Sequence, residues 1–291
     1  MRVSSLYKYK QPVISMEFFP PRNQVASEKF SGLIDTLSSL GPDYLSITFG
    51  AGGSTKDGSY QTVKELMVKK NLPTVAYIAG YGLGLDAIRE VLDQYRDLGV
   101  ETIFVIRGDK PKTDDMIPQP GSFSYASELI SFIKSHYDFT LGCAGYPEGH
   151  IEAKSIDTDI QYLKQKIKNG AEYVVAQYFY DNDYFFNYVK KCKDQGINVP
   201  IIPGIMPIYS VKMTRMLSKI CGSSLTEELD KKLAALDPED NDGVIKFGIE
   251  LATEQCRGLL KTGVQGLHFY TMDRSRSAVE IINQLRKEHL L

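Results

Sequence analysis

Val13-Ile-Ser-Met-Glu-Phe-Phe-Pro-Pro-Arg22 is an apolar run broken by one carboxylate and stopped by two prolines. Phe18 and Phe19 favour an extended strand, and Pro20 has no N–H to give to a sheet ladder, so the strand ends there. Glu17 then sits near the carboxyl end of a buried strand. A carboxylate in such a place costs free energy unless it is hydrogen-bonded or protonated. Desolvation favours the neutral form, which is the form a general acid must hold. A structural ion pair with a neighbouring Lys or Arg would produce the same pattern, and this stretch alone leaves both readings open.

Outward from this strand the pattern repeats. Residues 27–40 carry Phe30, Leu33, Ile34 and Leu37 at helical spacing, with Ser27 as the expected N-cap, and Gly41-Pro42 ends the segment. Further strands are expected at 44–49, 73–78, 101–106, 139–144, 173–179, 199–205 and 266–270, each followed by a helical segment. Two or three helical segments fill 211–261, between the seventh and eighth strands. About eight βα units in 291 residues point to an α/β fold, a (β/α)8 TIM barrel formed as a single domain over 1–291. A doubly wound sheet fits less well. Pro-Pro-Arg follows the first strand, Gly80-Tyr-Gly-Leu-Gly84 does not match GxGxxG, and GxxxxGK[ST] is absent.

Composition narrows the function classes. A formal net charge of -2 gives no reason to expect nucleic acid or an anionic membrane as partner. Cys143, Cys192, Cys221 and Cys256 form no CxxC pair, which argues against a zinc ribbon or a redox dithiol and suits a reducing compartment. No apolar run reaches transmembrane length, and the amino terminus has no hydrophobic signal core. A cytoplasmic protein is expected.

In a parallel barrel the chemistry belongs at the carboxyl ends of the strands. Those ends carry Glu17, Thr48, Tyr77, Arg107 with Asp109, Tyr146 with His150, Gln177, and Tyr270 with Arg274. Caps or loop salt bridges would explain any one of them, but not a polar residue at nearly every mouth. Other features are weaker. His150 and His268 lack the spacing of a metal site, so no metal is expected. Gly50 to Gly53 could cradle a phosphate or form a plain turn.

Taken together, MEFFPPR (16–22), ITFGAGGS (47–54), RGD (107–109), YPEGH with EAKS (146–155), AQYFYD (176–181), PGIMP (203–207) and HFYTMDR (268–274) resemble the 5,10-methylenetetrahydrofolate reductase family in its bacterial catalytic-barrel form. The resemblance covers nearly the whole chain. It implies FAD at the carboxyl face, reduced by NAD(P)H, and methylenetetrahydrofolate as the hydride acceptor that follows in the same site. The flavin would carry the redox chemistry, and the protein the orientation and electrostatics.

By the same resemblance, Glu17 matches the general acid, Asp109 the aspartate between flavin and pterin, and Gln177 a glutamine that positions substrate. Tyr270 and Arg274 fall at substrate positions. Thr48, Phe49, Ala51, Arg107, Gly108, Tyr125, Ala126, Tyr146, His150, Asp159 and Lys166 match flavin contacts, with Arg107 and Lys166 as the cations for the phosphates or ribityl chain. There are departures. Tyr77 stands for a common histidine, Tyr162 and Gln165 for an asparagine and an arginine near the adenosine half of FAD, and Asp273 for an asparagine. These touch the flavin grip and the electron donor more than the folate chemistry. A partner electron-transfer subunit in place of NAD(P)H is therefore the alternative. A homo-oligomer is expected, and no feedback by S-adenosylmethionine.

Overall fold

The computed structural model describes residues 1–50, 56–108 and 121–291. The first strand, β1 (Val13–Phe18), stops just short of the proline pair. It is followed by β2 (Tyr44–Ile47), β3 (Thr74–Ala79), β4 (Thr102–Ile106), β5 (Thr140–Gly145), β6 (Tyr173–Tyr178), β7 (Ile201–Ile205) and β8 (Gly266–Tyr270). All pair in parallel with their sequence neighbours, and β8 pairs back onto β1, so the sheet closes as the alternation predicts.

Between the strands run α2 (Gln24–Ser38), α3 (Lys56–Lys64), α4 (Leu85–Asp97), α5 (Ala126–His136), α6 (Ile156–Lys168) and α7 (Asn182–Asp194). The α3 helix continues into a π-helical turn at Glu65–Lys69. The expected extra segments are α8 (Val211–Cys221), α9 (Glu227–Ala235) and α10 (Asn241–Lys261), and α11 (Arg276–Lys287) ends the chain. The extra helices build a small apolar cluster of their own around Ile208, Leu229, Leu233 and Val244. Gly248 lets α10 pass against the Ile208 carbonyl, where a Cβ would stand 2.2 Å from the oxygen.

Two helix starts differ from the sequence reading. Asn23, not Ser27, caps α2, accepting from the Ala26 N–H at 2.9 Å, and Ser155 caps α6, which the sequence pattern alone opens at Asp157. In both, a side-chain acceptor three residues ahead of an orphan N–H starts the helix one turn or less before the periodic apolar run. A third difference is α1 (Val3–Tyr9), which the sequence reading did not include. Its Val3 and Tyr7 are buried, the Val3 N–H donates to Thr102 Oγ1 at 3.1 Å, and the Tyr7 ring lies 5.9 Å from that of Tyr173. Seven residues are too few to show a helical period, and the helix is held by this docking rather than by propensity.

The barrel interior is aromatic. Tyr77 stacks on Phe104 with centroids 4.5 Å apart, and Phe104 meets Tyr173 at 6.0 Å. Glycines make the space: a Cβ on Gly142 would stand 2.3 Å from Tyr173 Cζ, and one on Gly204 2.5 Å from Tyr270 Cε2. Gly142→Ala is expected to destabilise the fold by about 1–3 kcal/mol through overpacking. Tyr173→Leu should relieve part of that cost, seen as positive coupling in a denaturant double-mutant cycle.

Candidate active site

Lateral register decides who meets Glu17. On β1 Ser15 lies level with Tyr44 of β2 and His268 of β8, and Glu17 level with Ser46 and Tyr270. Paired residues of a parallel ladder share a face, so these side chains form two stacked interior layers. The Tyr77 hydroxyl donates to Glu17 Oε2 at 2.6 Å, and His268 Nε2 stands 3.7 Å from the same oxygen. Burial first, and the charge of Glu17 second, pushes the Tyr77 hydroxyl well above its ordinary value, so it remains a donor. Thr271 Oγ1 donates to the Glu17 carbonyl at 2.7 Å and ties the β8 end to the β1 end. Glu17 is thus a half-buried carboxyl at a strand mouth, with no Lys or Arg partner among the described residues. Among the described residues, then, nothing supports the structural ion-pair reading.

The other mouth residues fall around it. Gln177 Oε1 accepts from the Tyr178 N–H at 3.0 Å, and Tyr270 donates to the Ala176 carbonyl at 3.1 Å. Arg274 lies outside the mouth, its guanidinium 5.1 Å from the ring centre of Tyr209. Tyr209 is buried and anchored by donation to the Thr271 carbonyl. The sequence reading did not include Tyr209, and a tyrosine after Met206-Pro207 carries no separate signal. Met272 and Asp273, at φ 50° and 53°, turn the chain between β8 and Arg274. Asp273 Oδ1 accepts from the Phe19 N–H at 3.1 Å.

A cavity of about 510 Å³ opens beside the mouth, between the ends of β4 and β5 and the face of α6. Arg107, Tyr125, Ala126, Tyr146, His150, Asp159, Tyr162, Gln165 and Lys166, all singled out from the sequence, line it together. The spacing of Asp159, Tyr162 and Lys166 is i, i+3, i+7, one face of α6. Lys166 Nζ donates to the Ala144 carbonyl at 2.5 Å and stands 5.8 Å over the Tyr146 ring. Arg107 pairs with Glu152, a lining residue that the sequence reading quoted only within a motif. Gly108 takes φ +88°, where a side chain would be strained and would press on Ala79. Thr48 Oγ1 is buried without a hydrogen-bond partner among the described residues, and Phe49 is buried next to it. Tyr77 does not line the cavity; its hydroxyl is committed to Glu17. Asp109 and Ala51 lie outside the described residues. No cluster of metal-ligating side chains occurs among those described, and no helix there is long and apolar enough to cross a membrane.

The family model for methylenetetrahydrofolate reductase matches residues 2–286. The chain belongs to that family. Among its relatives, methylenetetrahydrofolate reductase (NADH) 1 of Arabidopsis thaliana is 36% identical over 298 residues, covering 98% of this chain and 50% of the relative. The 5,10-methylenetetrahydrofolate reductase of Escherichia coli is 30% identical over 275 residues, covering 94% of this chain and 90% of the relative. The chain thus spans about half the length of the plant relatives and most of the bacterial one. A Clostridium thermocellum protein that binds two copies of 5-methyl-5,6,7,8-tetrahydrofolic acid superimposes with a TM-score of 0.65 at 18% identity, covering 99% of both chains. At that identity the likeness concerns the fold.

Asp159 gives this cavity a pH signature. Burial pushes its carboxyl up to about 6, against the opposing pulls of Lys166 and the His150 backbone N–H. A carboxyl that holds its proton more tightly when folded loses stability as pH rises from its unfolded value near 4 to about 6, and stays penalised above. Asp159→Asn, measured on flavin-free protein, should therefore be more stable than the parent at pH 7, by up to about 3 kcal/mol. The difference should close as pH falls to about 4.

Proposed function

We propose that this chain reduces 5,10-methylenetetrahydrofolate to 5-methyltetrahydrofolate, with FAD at the carboxyl face and reduced nicotinamide as the electron donor, both substrates using one site in turn. The observation that carries the reading is the carboxyl of Glu17 at the barrel mouth. It has a donor on one oxygen, no cationic partner among the described residues, and the lined cavity alongside. The family membership supports the folate substrate. The plant relatives carry NADH in their names, which favours that nucleotide.

The residues present suit a flavin dinucleotide. The cavity offers two cations, Arg107 and Lys166, for phosphate oxygens, and two exposed tyrosines on its rim, Tyr125 and Tyr162, for the flat adenine end. Thr48 Oγ1, without a hydrogen-bond partner among the described residues, gives a hydrogen-bonding atom for the ring end. FAD, when bound, supplies the hydride that the folate's methylene carbon accepts.

The chain's own part is acid catalysis and positioning. Glu17 donates its proton to the nitrogen that leaves the methylene carbon. That C–N bond opens, and the carbon becomes an iminium able to take hydride. Gln177, oriented by the Tyr178 N–H, hydrogen-bonds the pterin. Arg274, stacked on Tyr209 outside the mouth, meets the folate's carboxylate end. Each turnover consumes one proton through Glu17, which is regained before the next folate is reduced.

Glu17→Gln keeps the shape of the site and removes the acid. The variant should bind FAD, and NADH should bleach its visible band anaerobically, while methylenetetrahydrofolate fails to restore the band at a measurable rate. Reoxidation by the folate at the parent's rate would remove the acid role. Bleaching of the parent by methyltetrahydrofolate but by neither nicotinamide would assign reduction to a partner protein instead.

A further inference from the structure

We infer that Tyr77 is a positioning residue for the acid: its hydroxyl makes the one side-chain hydrogen bond to the Glu17 carboxyl found among the described residues, and it stabilises the carboxylate that forms as Glu17 gives up its proton. The inference rests on the acid role proposed above for Glu17.

Elimination singles out the donor. The Tyr77 hydroxyl stands 2.6 Å from Glu17 Oε2, within the range of a hydroxyl bound to a carboxylate. The other polar groups around it are committed elsewhere or too far away. His268 Nε2, at 3.7 Å from the same oxygen, is beyond hydrogen-bonding distance. The Tyr270 hydroxyl donates to the Ala176 carbonyl, and the Tyr44 hydroxyl pairs with that of Tyr7. Thr271 Oγ1 reaches the Glu17 backbone carbonyl, and Asp273 accepts from the Phe19 N–H.

The ring that carries the hydroxyl is fixed. Tyr77 and Phe104 lie level on β3 and β4, both are buried, and their rings stack at 4.5 Å with 22° between planes. A phenol so held cannot follow the carboxyl if it swings away, and its hydroxyl would be left buried without an acceptor. The carboxyl is therefore kept where the hydroxyl is.

The chemical consequence follows from charge. Proton transfer breaks the Glu17 O–H bond, forms an N–H bond on the folate and leaves the bonding pair on Glu17 as a carboxylate. No Lys or Arg among the described residues is paired with that charge, and the Tyr77 hydroxyl already points at it. A hydrogen bond onto a neutral carboxyl becomes charge-assisted as the proton leaves, and is then roughly twice as strong. The gain arises in the transition state rather than in the bound ground state. It lowers the barrier to ring opening without tightening folate binding. Tyr77 keeps its own proton throughout, since burial first and the Glu17 charge second hold its hydroxyl well above the ordinary phenol value.

The bond can be read without any activity. In flavin-free protein, the infrared difference spectrum between acid and alkaline pH should contain one carboxyl C=O band that Glu17→Gln deletes. Tyr77→Phe removes a single oxygen and keeps the ring stack. It should move that band to higher frequency, as for a carbonyl that has lost its donor. A band left at the parent's frequency overturns the inference whatever the reaction proves to be. Kinetics then test the consequence. Tyr77→Phe should slow reoxidation of the reduced flavin by methylenetetrahydrofolate by between about tenfold and a hundredfold. The folate dissociation constant and the rate of reduction by NADH should stay within about twofold of the parent. Phe104→Leu, which loosens the ring but keeps the hydroxyl, should slow the folate step less. A parental folate rate in Tyr77→Phe, or a larger loss in Phe104→Leu, overturns the inference. Folate reduction at the parent's rate by Glu17→Gln would overturn the acid role itself, a failure told apart because the infrared shift in Tyr77→Phe would persist.

Discussion

Closure of β8 onto β1 is the contact on which the rest of the molecule depends. It sets Ser15 beside His268 and Glu17 beside Tyr270, residues separated by some 250 positions in the chain. A slip of one residue in that ladder would turn the Glu17 side chain out of the interior toward the helices, because side chains alternate along a strand. Thr271 and Asp273 reinforce the register just past the ladder, by hydrogen bonds to the Glu17 carbonyl and the Phe19 N–H. The acid is thereby held by backbone on both sides, with only its carboxyl left to be oriented.

That orientation comes from an interior that is packed and polar at once. Tyrosines fill the barrel with ring area, and glycines at 142 and 204 give the rings their room. Each tyrosine also brings a hydroxyl that needs a partner in a place without bulk water. Tyr7 pairs with Tyr44, Ser15 with Nδ1 of His268, and Tyr77 spends its hydroxyl on Glu17. Burial keeps these phenols protonated, Tyr44 pushed up to about 12 and Tyr77 and Tyr270 well above their ordinary value, so they serve as fixed donors. The short helix α1 belongs to the same arrangement, since it carries the Tyr7 hydroxyl that pairs with Tyr44.

The cavity follows a different principle. It is built on the flank of the barrel, where the ends of β4 and β5 meet one face of α6, and its polar groups are opposed pairs. Arg107 faces Glu152, and Lys166 lies between the Ala144 carbonyl and the Tyr146 ring, with Asp159 held above its ordinary carboxyl range nearby. Charge is stored there in a partly desolvated form. An anionic ligand entering the cavity would meet cations already placed, which lowers the ordering cost of binding.

Much of this could be read from the chain alone, because it depends on local rules. Prolines without N–H groups end β1, apolar runs alternate with helical spacing, and polar residues stand at strand ends. Those features gave the barrel and the polar groups at its mouths, Glu17 among them, while the family resemblance rather than a local rule singled out Asp159, Tyr162 and Lys166, which line the cavity from one face of α6. Other parts had no local signal. The docking of α1, the Tyr209 platform under Arg274, and the pairing of Arg107 with Glu152 each join residues through the closed sheet or its loops. Tyr77 shows the difference most clearly. The resemblance places it near a flavin, and the fold adds what the chain could not show, a hydroxyl bound to Glu17. Residue type and spacing determined which groups reach the mouth of the barrel. Only the tertiary structure decided which of them face each other, because that is set by the lateral register of strands distant in sequence and by which buried hydroxyl finds a partner.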